Sequence, residues 1–194
     1  MPDGCSLLIL AGGRSRRMGR DKSQLPAGDG TLIDHLVRRL APEVDETLVA
    51  GGPEGAWSAG VRRIDDHYPG LGPLAGIHSG LLAARSPWVW VVACDLPDVE
   101  PALGGLLRSL AAGVDAVVPR LEDGPQGVCA VYHRSLAPRI GTMLEAGERR
   151  VLDLLASIEV RFVSPAELRQ VDPELHSFRN LNTPADYEAW LTRR

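Results

Sequence analysis

The chain has 194 residues, enough for one domain of ordinary size with a real hydrophobic core. Hydrophobic residues at 44% and charged residues at 24% are globular values, and a net charge of −4 excludes a general affinity for nucleic acid. Aromatics at 5% are too sparse for a base-stacking platform, and the three scattered cysteines exclude a disulfide framework or a zinc cluster.

Met1-Pro2-Asp3-Gly4 carries no basic leader, and the apolar run after it is only strand length. The longest apolar stretch, Pro87 to Cys94, is far short of a membrane span. A cytoplasmic, reducing setting is expected, with Cys94 and Cys129 as buried thiols.

Leu7 to Leu10 reads as a buried strand that stops at Ala11-Gly12-Gly13. The loop that follows carries five cations in nine residues: Arg14, Arg16, Arg17, Arg20 and Lys22. Glycines let backbone N–H groups approach a ligand, and cations beside them suit phosphate. A solvated run of arginines is the competing reading. The loop is neither a Walker A sequence nor the dinucleotide pattern G-x-G-x-x-G. Thr31 is placed to cap a helix whose inner face is Leu32, Ile33, Leu36, Val37 and Leu40, with Asp34, His35, Arg38 and Arg39 on the other face. Pro42 ends it. Strands are expected at 47–50 and 61–64, the second leading to Asp65-Asp66.

The turn Tyr68-Pro69-Gly70-Leu71-Gly72-Pro73 enters a helix with Leu74, Ile77, Leu81 and Leu82 on one face. Gly72, Gly76 and Gly80 form a small-residue stripe that would admit either a close strand or a ligand. Trp88 to Cys94 is the most hydrophobic run, expected as a central parallel-type strand buried on both faces. Asp95-Leu96-Pro97 follows it. A carboxylate at the carboxyl end of such a strand lies where open α/β sheets place ligands, and a metal ion is its natural partner. The alternative is a helix cap, although the next helix starts some residues later, near Pro101.

Further strands are expected at 115–119, 128–132 and 159–163, the first two as a hairpin-like antiparallel portion with Gln126 at the entrance of the second. Helices are expected at 136–146, stopped by Gly147, then from Glu148-Arg149-Arg150 through Leu155, after Ser164-Pro165, and after Thr183-Pro184 to about Trp190. Asn180-x-Asn182 before the last helix reads either as an Asx-turn or as a pair of recognition amides. Strands alternating with helices over short loops predict a single α/β domain, 1–194, with helices on both faces of a mostly parallel, mixed sheet.

Five motifs then stand in order. They are Leu10-Ala11-Gly12-Gly13-x-Ser15-x-Arg17-Met18-Gly19-x-Asp21-Lys22, Gly72-Pro73-Leu74-Ala75-Gly76, Cys94-Asp95-Leu96-Pro97, Gly147-Glu148-Arg149-Arg150-Val151 and Asn180-x-Asn182-Thr183-Pro184. This set, over nearly the whole chain, resembles the molybdenum cofactor guanylyltransferases, within the wider group of Rossmann-like nucleotidyltransferases. The first motif is widely shared in that group; the five together are specific.

The resemblance implies a three-layer Rossmann-like sandwich that uses Mg²⁺. It also implies a reaction: the terminal phosphate of molybdenum-molybdopterin attacks the α-phosphate of GTP and pyrophosphate leaves. Residues 1–100 would mainly serve GTP and 101–194 mainly molybdopterin. By the same resemblance the backbone of Leu10, Ala11, Gly12 and Gly13 cradles the nucleotide, Lys22 neutralises the triphosphate, and Asp95 holds the metal. Arg17 is either a second phosphate contact or a salt-bridge partner. Asp66 matches a carboxylate that contacts the nucleotide, with Asp65 as the alternative. Gln126, Arg149, Arg150, Asn180 and Asn182 fall on the pterin side.

One position departs from the pattern. The family often has Asn at the end of the second strand, where this chain has Ala50-Gly51-Gly52, so the backbone of Ala50 or Gly51 would have to serve the base or ribose. Gly12, where cytidylyltransferases of the same cofactor usually have Ala, leaves room for a purine. Such a cytidylyltransferase is the nearest alternative; another small nucleotidyltransferase or a non-catalytic GTP- or cofactor-binding chaperone is more distant. Molybdoenzymes or accessory cofactor-handling proteins are the further partners implied, with no membrane.

Overall fold

A computed structural model describes residues 4–11, 24–52 and 60–193. Gly12, Gly13, Arg17 and Lys22 of the basic loop therefore lie outside the described residues. The strands are β1 Cys5–Leu10, β2 Glu46–Ala50, β3 Val61–Ile64, β4 Trp88–Ala93, β5 Ala116–Leu121, β6 Gly124–Pro125, β7 Cys129–His133 and β8 Val160–Val163. The helices are α1 Leu32–Leu40, α2 Pro73–Ala83, α3 Pro101–Ser109, α4 Ala137–Glu145, α5 Val151–Leu155, α6 Pro165–Leu168 and α7 Pro184–Thr192.

These strands form one sheet in the order β3-β2-β1-β4-β7-β5, with β6 pairing the end of β5 and β8 also pairing β5. β3, β2, β1 and β4 are mutually parallel, β7 runs against both β4 and β5, and β8 is parallel to β5. β4 is buried as its composition requires, but only one of its neighbours is parallel. A strand buried on both faces reads the same whichever way its neighbour runs, so its apolar run could not reveal the antiparallel β7.

Period-two alternation divides the core between the two faces. Leu7, Ile9, Val49, Trp90 and Val92 meet α1 and α3 on one face. Leu8, Leu10, Leu48, Ala50, Val89 and Val91 meet α2, α4 and α5 on the other. The β1–α1–β2 and β3–α2–β4 crossovers thus leave on opposite faces, which puts a topological switch point beside β1. Two glycines of the stripe serve packing: a Cβ on Gly76 would meet Leu10 Cδ2 at 3.0 Å, and one on Gly80 would overlap Leu8, whereas Gly72 precedes α2 at φ 90° with nothing within 4 Å of an added Cβ. Leu82, expected inward, is 46% exposed.

Local signals set most helix ends. Thr31–Asp34, Ser164–Glu167 and Thr183–Asp186 each close a capping box. α4 ends in a Schellman arrangement at Gly147 (φ 85°), where Glu148 N donates to Met143 O at 2.9 Å and Gly147 N to Leu144 O at 3.0 Å. A third small cluster of Leu25, Ala27, Leu32, Leu181 and Trp190 seats α7 against the start of α1. No described helix is long and apolar enough to cross a membrane.

Candidate active site

Register aligns the carboxyl ends of four strands. Leu10 is paired with Ala50 on one side and Ala93 on the other, and Ala50 with Ile64. The residues just beyond them, Ala11, Gly51, Asp65-Asp66 and Cys94-Asp95, therefore emerge along one edge, at the switch point. Ala11 N donates to Ala50 O at 2.9 Å and Cys94 N to Leu10 O at 3.1 Å. Leu10, Ala11 and Ala50 are at most 6% exposed, so only their backbone can face a ligand. The Ala50 carbonyl already accepts a hydrogen bond, and beyond it Gly51 and Gly52 both turn at φ 76°.

Asp95 stands two residues beyond β4 and is half-buried. The helix-cap reading does not hold: the residue before α3 is Glu100. The segment from Asp95 to Glu100 is anchored from outside itself. Leu181 N donates to Asp95 O at 2.8 Å, His35 Nε2 to Pro97 O at 2.9 Å, Trp190 Nε1 to Asp98 Oδ1 at 2.7 Å and Arg39 Nη2 to Val99 O at 3.2 Å. Glu100 N donates to Ser177 Oγ at 2.9 Å. A carbonyl can only accept, so Nε2 of His35 carries the proton. His35, expected on the face of α1 opposite its apolar residues, is 8% exposed because the Asp95–Glu100 segment covers that face. Nothing local in the sequence announces these anchors. A cavity of about 250 Å³ bordered by Asp98 and Glu100 contains none of Asp66, Asp95, Asn180 or Asn182, so it is separate from the strand-end edge.

Asp66 braces the turn into α2. Its Oδ1 accepts from Tyr68 N at 3.0 Å and Ser79 Oγ at 3.3 Å. Asp65, in contrast, projects outward with its side chain 91% exposed, 3.4 Å from Arg63. His78, packed edge-on to His67 and Tyr68, is held below the usual histidine range by burial and then by His67; the Asp66 and Glu145 charges oppose this more weakly.

The residues assigned to the second substrate reach the same end of the sheet. Ala93 N donates to Val128 O at 2.9 Å and Gln126 N to Pro119 O at 2.8 Å, which brings Gln126 alongside the tip of β4. The Gln126 amide nitrogen donates to Asp123 Oδ1 (2.9 Å) and Gly124 O (3.2 Å), and its oxygen has no hydrogen-bond partner among the described residues. A Cβ on Gly127 would meet Val151 Cγ1 at 2.5 Å, so the Arg149-Arg150-Val151 corner lies directly against Gly127. Arg150 is 3.9 Å from Asp153, while exposed Arg149 makes no side-chain hydrogen bond or ion pair among the described residues.

Asn180 and Asn182 flank Leu181, whose N–H is the one bonded to Asp95. Both are exposed, and neither side chain is hydrogen-bonded among the described residues. The Asx-turn reading is therefore not the one observed. The hydrogen bond into the following turn comes instead from Asn182 N to Asp186 Oδ2, at 3.0 Å.

Among the described residues no group of three or more His, Cys, Asp or Glu side chains could hold a metal ion. A single strand-tip carboxylate suits the other mode, in which Mg²⁺ keeps several waters and takes one or two carboxylates plus substrate phosphates. Asp95 fits that donor set.

A family profile described as "MobA-like NTP transferase domain" matches residues 7–160. The chain is similar to the "Probable molybdenum cofactor guanylyltransferase" of Pelotomaculum thermopropionicum, 36% identical over 92% of this chain and 88% of that protein. It is likewise 34% identical to the "Molybdenum cofactor guanylyltransferase" of Syntrophotalea carbinolica, over 95% of this chain and 90% of the other. Among solved structures, molybdopterin-guanine dinucleotide biosynthesis protein A from Archaeoglobus fulgidus superposes with a TM-score of 0.83 at 27% identity, covering 97% of this chain and 100% of that one.

Proposed function

The chain belongs to the family of MobA-like NTP transferase domains, and on that premise we propose that it transfers GMP from GTP to molybdenum-molybdopterin in the cytoplasm. An oxygen of the acceptor's terminal phosphate attacks the α-phosphorus. The bond from that phosphorus to the β-phosphate oxygen breaks, pyrophosphate leaves, and the guanine dinucleotide form of the cofactor results.

The observation that carries the reading is the 2.8 Å bond from Leu181 N–H to the Asp95 carbonyl. It ties two exposed amides, Asn180 and Asn182, to the strand tip that presents a carboxylate. A nucleotide on the β1–β4 edge and an acceptor held by Asn180 and Asn182 would meet over Asp95. The pterin's amide-like edge offers donors and acceptors that Asn side chains can read, and Arg149 and Arg150 can take its phosphate.

Little proton chemistry is needed, because the attacking phosphate is already anionic near pH 7. The difficulty is bringing two polyanions together, so positioning and charge neutralisation carry the rate. When bound to Asp95 and the triphosphate, Mg²⁺ supplies positive charge at the reacting phosphates. Lys22 has the matching role at the leaving pyrophosphate. Molybdoenzymes or accessory cofactor-handling proteins would receive the product.

The test is a nucleotide panel. The protein is incubated with Mg²⁺, molybdenum-molybdopterin and GTP, CTP, ATP or UTP in turn, and pyrophosphate is measured. Release with GTP that requires the acceptor is expected. Release with CTP and not GTP would replace guanylyl by cytidylyl transfer; release without acceptor would point to a different second substrate.

A further inference from the structure

We propose that His35 and Trp190 are positioning residues that aim the Asp95 carboxylate at its metal ion, an inference resting on the assignment of Asp95 above. Neither residue lies on the strand-end edge. Trp190 is on α7 and 1% exposed, His35 is on α1 and 8% exposed, and their rings meet edge-on at 5.3 Å. Each sends its polar tip into the segment after Asp95: His35 Nε2 to Pro97 O at 2.9 Å and Trp190 Nε1 to Asp98 Oδ1 at 2.7 Å. One buried aromatic pair, drawn from two elements, thus grips two successive residues of a segment without regular structure.

The pair is itself anchored. Tyr187 stacks on Trp190 at 6.2 Å, and its hydroxyl donates to Pro26 O at 2.6 Å. Leu181 packs in the same cluster as Trp190 while its N–H holds the Asp95 carbonyl. The Asp95 segment and the Asn180–Asn182 stretch are therefore held by one packed cluster. Buried N–H donors aimed at a loop two and three residues from a metal-binding carboxylate act as outer-shell groups do at metal sites, where the ligand is held in its productive orientation before the ion arrives.

A purely structural role would lower stability and leave the metal alone. The discriminating quantity is the metal-dependent gain in nucleotide affinity: the GTP dissociation constant in EDTA divided by that with Mn²⁺, read by calorimetry on the full chain without acceptor. Asp95→Asn calibrates it and should remove most of the gain. His35→Leu and Trp190→Phe, the second of which keeps a ring and removes only the donor, should each lower the gain about tenfold. His35→Gln, which keeps a donor near the position of Nε2, should stay within about twofold of the parent. Ile140→Val, in the core of the other face, should leave the gain unchanged.

If Asp95→Asn removes the gain while His35→Leu and Trp190→Phe keep it, the positioning role is wrong and the metal assignment stands. Failure of His35→Gln to recover the gain, with His35→Leu reduced, also overturns it. If Asp95→Asn keeps the gain, the metal assignment falls and the positioning role falls with it.

Discussion

Asp95 is tied to Leu181 through its carbonyl, so changing its side chain leaves that bond in place. Asp95→Asn should therefore cut pyrophosphate release at least about a hundredfold, the scale for removing one transition-state charge contact. Its circular-dichroism spectrum should match the parent's. Asn180→Ala and Asn182→Ala should act on the acceptor. Each should raise the KM for molybdenum-molybdopterin about tenfold, as for one lost hydrogen bond, and leave the KM for GTP alone. Equal shifts in both constants would place these amides elsewhere. The place of Asp95 at the tip of β4 was legible because the apolar run ends there. The Asn pair was less so, since amides before a helix are common; that neither side chain is hydrogen-bonded among the described residues sets the Asx-turn aside, and the acceptor KM tests the recognition reading. The burial of His35 was not legible because a helix's polar face carries no mark of what will cover it, and its partner Pro97 lies 62 residues away.

At the scale of elements, strand and helix positions followed from period and caps. Helix α1 was expected with Thr31 as cap and Leu40 as its last inward residue, and both stand there. What local pattern could not carry was sheet order, above all the reversal of β7 beside β4. The glycines of α2 show the same boundary, because their spacing admitted a ligand or a strand and the fold supplies the strand. Gly80→Ala tests that reading with two opposed terms. Ala is favoured over Gly inside a helix by about 1 kcal/mol, but the added Cβ would overlap the fully buried Leu8. The clash should win, with a net loss of about 1–3 kcal/mol in urea unfolding; a gain in stability would mean that α2 can lift from β1.

For the whole molecule, acid stability should depend on Glu46, at the end of the sheet away from the site. Burial alone would push its carboxyl up. Hydrogen bonds from Arg85 N–H, the Ser6 hydroxyl and Arg62, with the Arg62 charge, outweigh that and hold it below the usual range. A lowered carboxyl stabilises the fold above its unfolded value and loses that contribution as pH falls through the folded one. Glu46→Gln should thus cost about 1.5–3 kcal/mol at pH 7, and the difference from the parent should shrink below about pH 4. The thiols give a second global readout. Cys5, Cys94 and Cys129 are all buried, and burial, with a smaller contribution from Asp172, pushes Cys129 up to about 12. Ellman's reagent should leave the native protein unmodified and count three thiols after unfolding. The attachment of α7 also sets a timetable. During synthesis, the eight described strands and two of the groups that grip the Asp95 segment, His35 and Arg39, are out once residue 163 has emerged, yet the other three arrive only with Ser177, Leu181 and Trp190. At about 5–20 residues per second this leaves the newborn sheet with its strand tip only partly secured for a few seconds. Among the described elements the strand-end edge is thus the last to be fully held, and a nascent chain should gain its sheet before that edge is fixed.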